Sequence, residues 1–226
     1  MLEELIVKSN PKSSFSEAIK AVRTNLKFAS VDNEIKTILI TSSMPGEGKS
    51  FISANLAVAF AEAGSKTLIV DCDLRRGRQH KIFGVQGSMG YSNLLISNTT
   101  KNYSKYIKKT DITGLSILPM GTLPPNPIEL LDSKKNKDFI ENIRSEYDVV
   151  IFDCPPVNAV IDALTLTNII DSILIVCSMD KTPKPLLEAT KKKIEQVNGK
   201  ISGVIVNNVN GNRKGYYSNY YNSYYE

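Results

Sequence analysis

The sequence has no tryptophan, one histidine and three cysteines in 226 residues. His80 stands alone and is expected to carry no role in the chemistry. Cys72, Cys154 and Cys177 all fall at the ends of apolar strands, where small thiols are buried. Their odd number argues against a disulfide framework, and a cytoplasmic setting is the expectation. No apolar run approaches the ~20 residues that cross a bilayer, and Met1 is not followed by a signal-peptide pattern, so membrane association is expected through a partner. Strong charge is missing too. The formal net charge is +5, and Lys108-Lys109, Lys134-Lys135 and Lys191-Lys192-Lys193 are spread over separate surface elements. These read as solvated faces and not as a nucleic-acid footprint. Composition is otherwise that of a globular domain, 42% hydrophobic and 23% charged, long enough for a large core.

What is present is organised around Ser42-Ser43-Met44-Pro45-Gly46-Glu47-Gly48-Lys49-Ser50. A β-branched run feeds it and a run of helical period, Phe51 to Ala63, leaves it, which is the layout of a phosphate-binding loop. Glycines let backbone N–H groups turn in around an anion, and the helix starting near Lys49 points its positive end there. Lys49 adds a full charge for β- and γ-phosphates, and the Ser50 hydroxyl can ligate Mg²⁺. The strict motif has Gly where this chain has Ser43.

Around this loop the pattern alternates. Residues 1–12 read as an extended lead-in, followed by a helix from Ser13 or Ser14 to about Ser30 that carries a charged stripe of Glu17, Lys20 and Arg23. The first strand spans Lys36–Thr41, and Lys66–Asp71 is a second, ending in Asp71-Cys72-Asp73-Leu74-Arg75. Two carboxylates just past a strand's carboxyl end sit where open α/β sheets bind ligands, and they offer a second Mg²⁺ contact and a possible base. Short helices are expected near Gln79–Phe83 and Tyr91–Leu95, then a strand at Leu115–Pro119. Asn126, Pro127 and Glu129 read as N-cap, first helical residue and reciprocal capping carboxylate. A helix near Lys137–Glu146 leads to the strand Asp148–Phe152, which Asp153 closes as a second acidic site. Helix 159–170, strand Ser172–Ser178, helix 184–198 and strand Ile201–Asn207 complete the core. Such alternation predicts an α/β fold of the P-loop NTPase type, a mostly parallel sheet with helices on both faces. Asn207 is either a reader of the nucleotide base or a turn residue. The end, residues 211–226, holds six of the ten tyrosines and no aliphatic residue; it is expected to be disordered.

Taken together, Ser42–Ser50, Leu68-Ile69-Val70-Asp71-Cys72-Asp73-Leu74-Arg75, Val149-Val150-Ile151-Phe152-Asp153, the Pro124–Pro127 segment and the terminal tyrosines resemble the bacterial tyrosine kinases of capsular and exopolysaccharide loci, in their separate-chain Gram-positive form. The first three stretches match that family's Walker A, A′ and B motifs. The resemblance implies an ATP- and Mg²⁺-dependent protein-tyrosine kinase with three parts: residues 1–30 for oligomerisation, 31–210 as kinase core, and 211–226 as autophosphorylation tail. Nucleotide contacts would come from Ser43, Pro45, Gly46, Glu47, Gly48, Lys49, Ser50, Phe51 and Asn207. Ser50, Asp71 and Asp153 would hold Mg²⁺; Asp73 or Asp71 would accept the tyrosine's proton, and Arg75 would position groups around the phosphates. Tyr216, Tyr217, Tyr220, Tyr221, Tyr224 and Tyr225 would be phosphorylated between subunits. Glu17, Lys20 and Arg23 match the family's Glu-x-x-Arg-x-x-Arg ring contact, with Lys20 in place of an Arg, which removes the bidentate fork. The resemblance also implies a transmembrane modulator of the polysaccharide co-polymerase type. Its cytoplasmic tail would activate the chain and recruit it to the inner membrane face. A cognate tyrosine phosphatase would complete the cycle, in control of polysaccharide synthesis and export. The rival is a ParA/MinD-like switch ATPase acting by binding. Those proteins carry a second lysine at the position of Met44 and lack a tyrosine tail. A P-loop small-molecule kinase would instead need an Arg-rich lid.

Overall fold

The computed structural model describes residues 4–29, 34–97, 103–179 and 181–209. Among them one seven-stranded sheet runs in the order β3-β4-β2-β5-β1-β6-β7. The strands are β1 Thr37–Ser42, β2 Thr67–Asp71, β3 Lys108–Lys109, β4 Leu115–Leu118, β5 Val149–Asp153, β6 Ser172–Ser178 and β7 Ile201–Asn207. All neighbours pair in parallel except β3, which lies antiparallel to β4 at one edge. That strand is Lys108-Lys109, and paired lysines on an edge discourage pairing with another chain.

Alternation along the strands divides the core between the two faces. Ile38, Ile40, Ile69 and Ile151 pack on one side with α1 (Ile6–Ser9), α2 (Ser14–Ala29) and α3 (Lys49–Glu62). Leu39, Leu68, Val70, Val150 and Phe152 pack on the other. That second face is covered by helices that include α5 (Tyr91–Ile96), α7 (Lys134–Glu146) and α8 (Lys184–Gln196). Between them in sequence lie α4 (Gln79–Ile82) and α6 (Pro127–Asp132). Helix α3 is buried nearly all round, because the sheet lies under it and α1 and α2 lie over it. Its end is sharp at Gly64, whose φ of +87° suits glycine after a helix.

Several local expectations are corrected. The lead-in is not extended: Leu5 and Val7 are buried, and Asn55 of α3 accepts the Val7 N–H at 3.0 Å and donates to the Glu4 carbonyl at 2.9 Å. The turn Ile6–Ser9 closes through its own backbone, Ser9 N–H to the Leu5 carbonyl at 2.9 Å and Asn10 N–H to the Ile6 carbonyl at 2.7 Å, and Asn55 ties it to α3. The stretch expected as helix 159–170 is a 3₁₀ helix, Asp162–Ile169. There the hydroxyls of Thr165 and Thr167 donate to carbonyls three residues back, Asp162 at 2.7 Å and Leu164 at 2.9 Å. Asn126 makes no side-chain cap; its Nδ2 turns to Glu129 Oε2 at 3.2 Å instead, so the expected capping box is absent. Helix α7 begins at Lys134, earlier than expected, because the Ser133 hydroxyl caps it by accepting the Asn136 N–H.

Candidate active site

Ser42, Asp71, Asp153 and Asn207 end β1, β2, β5 and β7, so all four reach the same edge of the sheet. The loop leaving β1 there lies between β5 and β6, at the point where connections diverge to opposite sides, which is where open α/β sheets bind ligands. Gly46 and Gly48 take left-handed φ of 83° and 92°, a region closed to most residues with a Cβ.

The loop is braced from behind. Glu47 is buried; its carboxylate accepts the Met44 N–H at 2.7 Å and the Thr182 hydroxyl. Asn207 Nδ2 donates to the Glu47 carbonyl at 2.9 Å, and the Thr190 hydroxyl bonds Ser43 Oγ at 2.9 Å. Of the residues expected around a nucleotide, Ser43, Glu47 and Asn207 therefore hold the loop's shape from β7, α8 and the turn before it. Pro45, Gly46, Gly48, Lys49, Ser50 and Phe51 face the cleft itself, which encloses about 560 Å³, within the range of small-molecule sites. Asp73, Arg75, Arg76 and Arg78 line the opposite wall, and Pro155, Pro156, Ala159 and Val160 supply an apolar side.

Below this cleft sit two carboxylates. β2 and β5 are parallel neighbours with Asp71 directly opposite Asp153, and both side chains are fully buried. Asp153 accepts the Ser53 hydroxyl at 3.3 Å and Gln79 Nε2 at 2.8 Å, one on each oxygen. Asp71 Oδ2 accepts the Gln79 N–H at 2.9 Å, while its Oδ1 is buried with no donor. Burial, and then the charge of Asp153, push the Asp71 carboxyl well above its ordinary value. Gly77 passes directly over it: an added Cβ there would come within 2.7 Å of Asp71 Oδ2.

Lys49 Nζ stands 3.2 Å from Asp73 Oδ2 and 3.3 Å from Ser50 Oγ. Burial works against its charge, but Asp153, Asp73 and Asp71 outweigh that and raise its pKa. Asp73 is anchored by the N–H groups of Arg75 and Arg76, at 3.3 and 2.9 Å. Arg75 forks onto the buried Asp162 through Nε at 2.9 Å and Nη2 at 3.3 Å. Three carboxylates share one ammonium here, a balance that favours a further cation.

The expected ring stripe is partly engaged within the chain. Lys20 pairs with Glu17 at 2.8 Å, and Arg23 Nη1 donates to the Ala59 carbonyl at 2.9 Å. Phe15 of α2 packs on Phe51 with ring centroids 4.9 Å apart, tying the stripe's helix to the loop's helix. The six tail tyrosines lie outside the described residues. Two residues of the site had no motif to announce them. Asp162 is paired across 87 residues, and Gln79 is recognisable in sequence only as the first residue of a short helix after the acidic turn.

Residues 35–205 match the family described as AAA domain. The sequence is 39% identical over 208 residues to the putative tyrosine-protein kinase CapB of Staphylococcus aureus, covering 92% of this chain and 90% of that one. It is also 39% identical to the tyrosine-protein kinase YwqD of Bacillus subtilis, over 92% of this chain and 86% of YwqD. The chain belongs to the bacterial tyrosine kinases of capsule loci. As a bacterial tyrosine kinase it binds nucleotide, and its fold agrees with its relatives'. The kinase domain of Escherichia coli ETK superposes with a TM-score of 0.89 at 32% identity, over 94% of this chain and 83% of that domain. The chimerical protein CapA2B2 gives 0.87 at 40% identity, over 92% and 90%. The likeness to the septum site-determining protein MinD of Pyrococcus horikoshii, TM-score 0.65 at 24% identity over 76% of this chain and 70% of MinD, is one of fold alone. Among the described residues no helix is long and apolar enough to cross a membrane.

Proposed function

We propose that this tyrosine kinase transfers the γ-phosphate of ATP to Tyr216, Tyr217, Tyr220, Tyr221, Tyr224 and Tyr225 of a neighbouring copy, and so regulates capsular or exopolysaccharide synthesis and export. The observation that carries the chemistry is the layering of the carboxylates. Asp73 lines the cleft, whereas Asp71 and Asp153 are fully buried beneath it. A tyrosine hydroxyl entering the cleft meets Asp73 first, which favours Asp73 over Asp71 as proton acceptor.

Ser50, Asp71 and Asp153 would hold Mg²⁺. The fit rests on the buried Asp71 Oδ1, which has no donor. Among the described residues no group of three or more Asp, Glu, His or Cys surrounds a point. Two carboxylates and a hydroxyl suit Mg²⁺, which keeps waters and takes phosphate oxygens as its other ligands. When bound it neutralises charge on the β- and γ-phosphates. The chain does the rest. Lys49 exchanges Asp73 for phosphate oxygens, and the N–H groups of the loop close around them. Asp73, released, accepts the tyrosine proton as that oxygen attacks the γ-phosphorus and the bond to ADP breaks. Pro155, Ala159 and Val160 offer the apolar wall against which an aromatic ring can rest.

Glu17, Lys20 and Arg23 would join copies into a ring, with residues 1–30 as its contact and 211–226 as the substrate. A transmembrane modulator's cytoplasmic tail would activate the chain at the inner membrane face, and a cognate phosphatase would reset it. CapA2B2, a chimerical relative, supports the idea of a second component. The test mixes a Lys49→Met subunit with one whose six tail tyrosines are Phe, and supplies γ-labelled ATP. Label on the Lys49→Met tail is expected. A folded mixture that releases only free phosphate would favour a switch ATPase and refute the proposal.

A further inference from the structure

Gln79 bonds both buried carboxylates, Asp71 through its backbone and Asp153 through its side chain. It is fully buried at the start of α4. Its backbone N–H donates to Asp71 Oδ2 at 2.9 Å; its side-chain Nε2 donates to Asp153 Oδ2 at 2.8 Å and to the Ser50 carbonyl at 3.0 Å. The orientation of the amide follows from this, because both side-chain neighbours are acceptors and only the NH₂ end can face them. The Oε1 end then points away from them, buried and without a donor. Asp71 Oδ1 is in the same condition. Two buried acceptors lacking donors, on residues joined by a hydrogen bond, cost free energy that a folded chain accepts only where something else fills the need.

We infer that Gln79 is a positioning residue for the cation. Its side-chain N–H groups clamp Asp153 and the first turn of α3 while its backbone N–H holds Asp71, so the carboxylates and Ser50 keep a fixed spacing for the ion. This deepens the reading of Ser50, Asp71 and Asp153 as the Mg²⁺ site and rests on it. A neutral amide suits the task, since a fourth carboxylate would worsen the excess of negative charge and an aliphatic residue would leave Asp153 short of a donor. Residues that orient metal ligands typically change metal affinity 10- to 100-fold when altered.

The experiment titrates Mg²⁺ into the full chain with a fluorescent ATP analogue and reads the Mg²⁺ concentration for half-maximal binding. Analogue affinity in EDTA is measured alongside. Gln79→Leu and Gln79→Met, close in volume, should each raise the Mg²⁺ midpoint about tenfold or more. Affinity without metal should stay within about twofold, since no phosphate contact has gone. Asp71→Asn calibrates the underlying reading. A midpoint moved by Asp71→Asn but not by either Gln79 variant overturns the inference and spares that reading. No shift in Asp71→Asn removes both. An equal loss of affinity with and without metal means that the site has collapsed, and also overturns the inference. The wild-type protein gives an independent check, because Gln79, Gln86 and Gln196 are its only glutamines. With ¹⁵N-labelled glutamine, one side-chain amide should exchange slowly in the free protein, and the same signal should shift when Mg²⁺ joins the nucleotide. Three rapidly exchanging, unmoved amides would refute it.

Discussion

Asn207→Ala separates two uses of one side chain. Its Nδ2 gives the carbonyl of Glu47 a hydrogen bond of 2.9 Å and packs against Gly48. A neutral, part-buried bond of this kind is worth ~1 kcal/mol. If the side chain serves to brace the loop, that loss should weaken ATP and GTP binding alike, by about fivefold. A side chain that reads the base would change the ratio of the two nucleotides instead. Titrating fluorescent analogues of both nucleotides into both proteins distinguishes these outcomes. Gly48→Ala sharpens the test. At φ +92° an alanine there carries strain of ~1–2 kcal/mol, and its methyl would land on the Asn207 amide. The double variant Gly48→Ala/Asn207→Ala removes the clash and keeps the strain, so the two effects should couple by about 1 kcal/mol or more. A loss confined to ATP, or strict additivity in the double variant, would refute the bracing role.

Other outcomes follow from the same geometry. Arg75→Ala strands the fully buried Asp162; because Arg75 is itself 40% exposed, the expected loss is about 1–3 kcal/mol, below that of a wholly buried pair, read by urea unfolding. Burial alone would raise the Asp171 carboxyl, but the N–H and hydroxyl of Thr37, Arg144 and the Lys36 N–H hold it below its ordinary value. A lowered folded-state pKa contributes stability above the unfolded value and loses it as pH falls through the folded one. Wild type should therefore be the more stable partner of Asp171→Asn at neutral pH, and the difference should shrink below about pH 4; a constant gap in pH-dependent melts would contradict this. Because Arg23 already serves Ala59 within its own chain, Glu17→Ala/Lys20→Ala is the cleaner probe of the ring. It should give monomers by light scattering with nucleotide binding kept, and persistent rings would remove that contact.

Six of the seven strands were legible as continuous apolar runs; β3, Lys108-Lys109, has no such pattern and read only as a solvated lysine pair. β6 and β7 match the sequence expectation residue for residue. The loop and the acidic strand ends were equally plain, since each is a short motif next to a periodic segment. What escaped depends on hydrogen bonds of particular side chains, some of them to partners far away in the chain. The turn at Ile6–Ser9 is tied to α3 by Asn55, and the 3₁₀ form of 162–169 follows from threonine hydroxyls bonding backwards, which periodicity does not register. Gln79 escaped for the same reason. Its importance lies in meeting Asp153 across 74 residues, and a glutamine before a four-residue helix has no pattern of its own.

Asp71 and Asp153 face each other because β2 and β5 run side by side in register. Their spacing is thus inherited from the ~4.8 Å between hydrogen-bonded strands, whereas Asp73 sits on the turn beyond β2. On heating, the two layers need not fail together. In the proposed site, a cation held by Asp71 and Asp153 would stay gripped as long as the central strands themselves, and the turn that carries Asp73 can open earlier by local unfolding. A warmed sample would then pass through a state that still binds metal and nucleotide but no longer transfers phosphate, a loss that reverses on cooling without any refolding of the core.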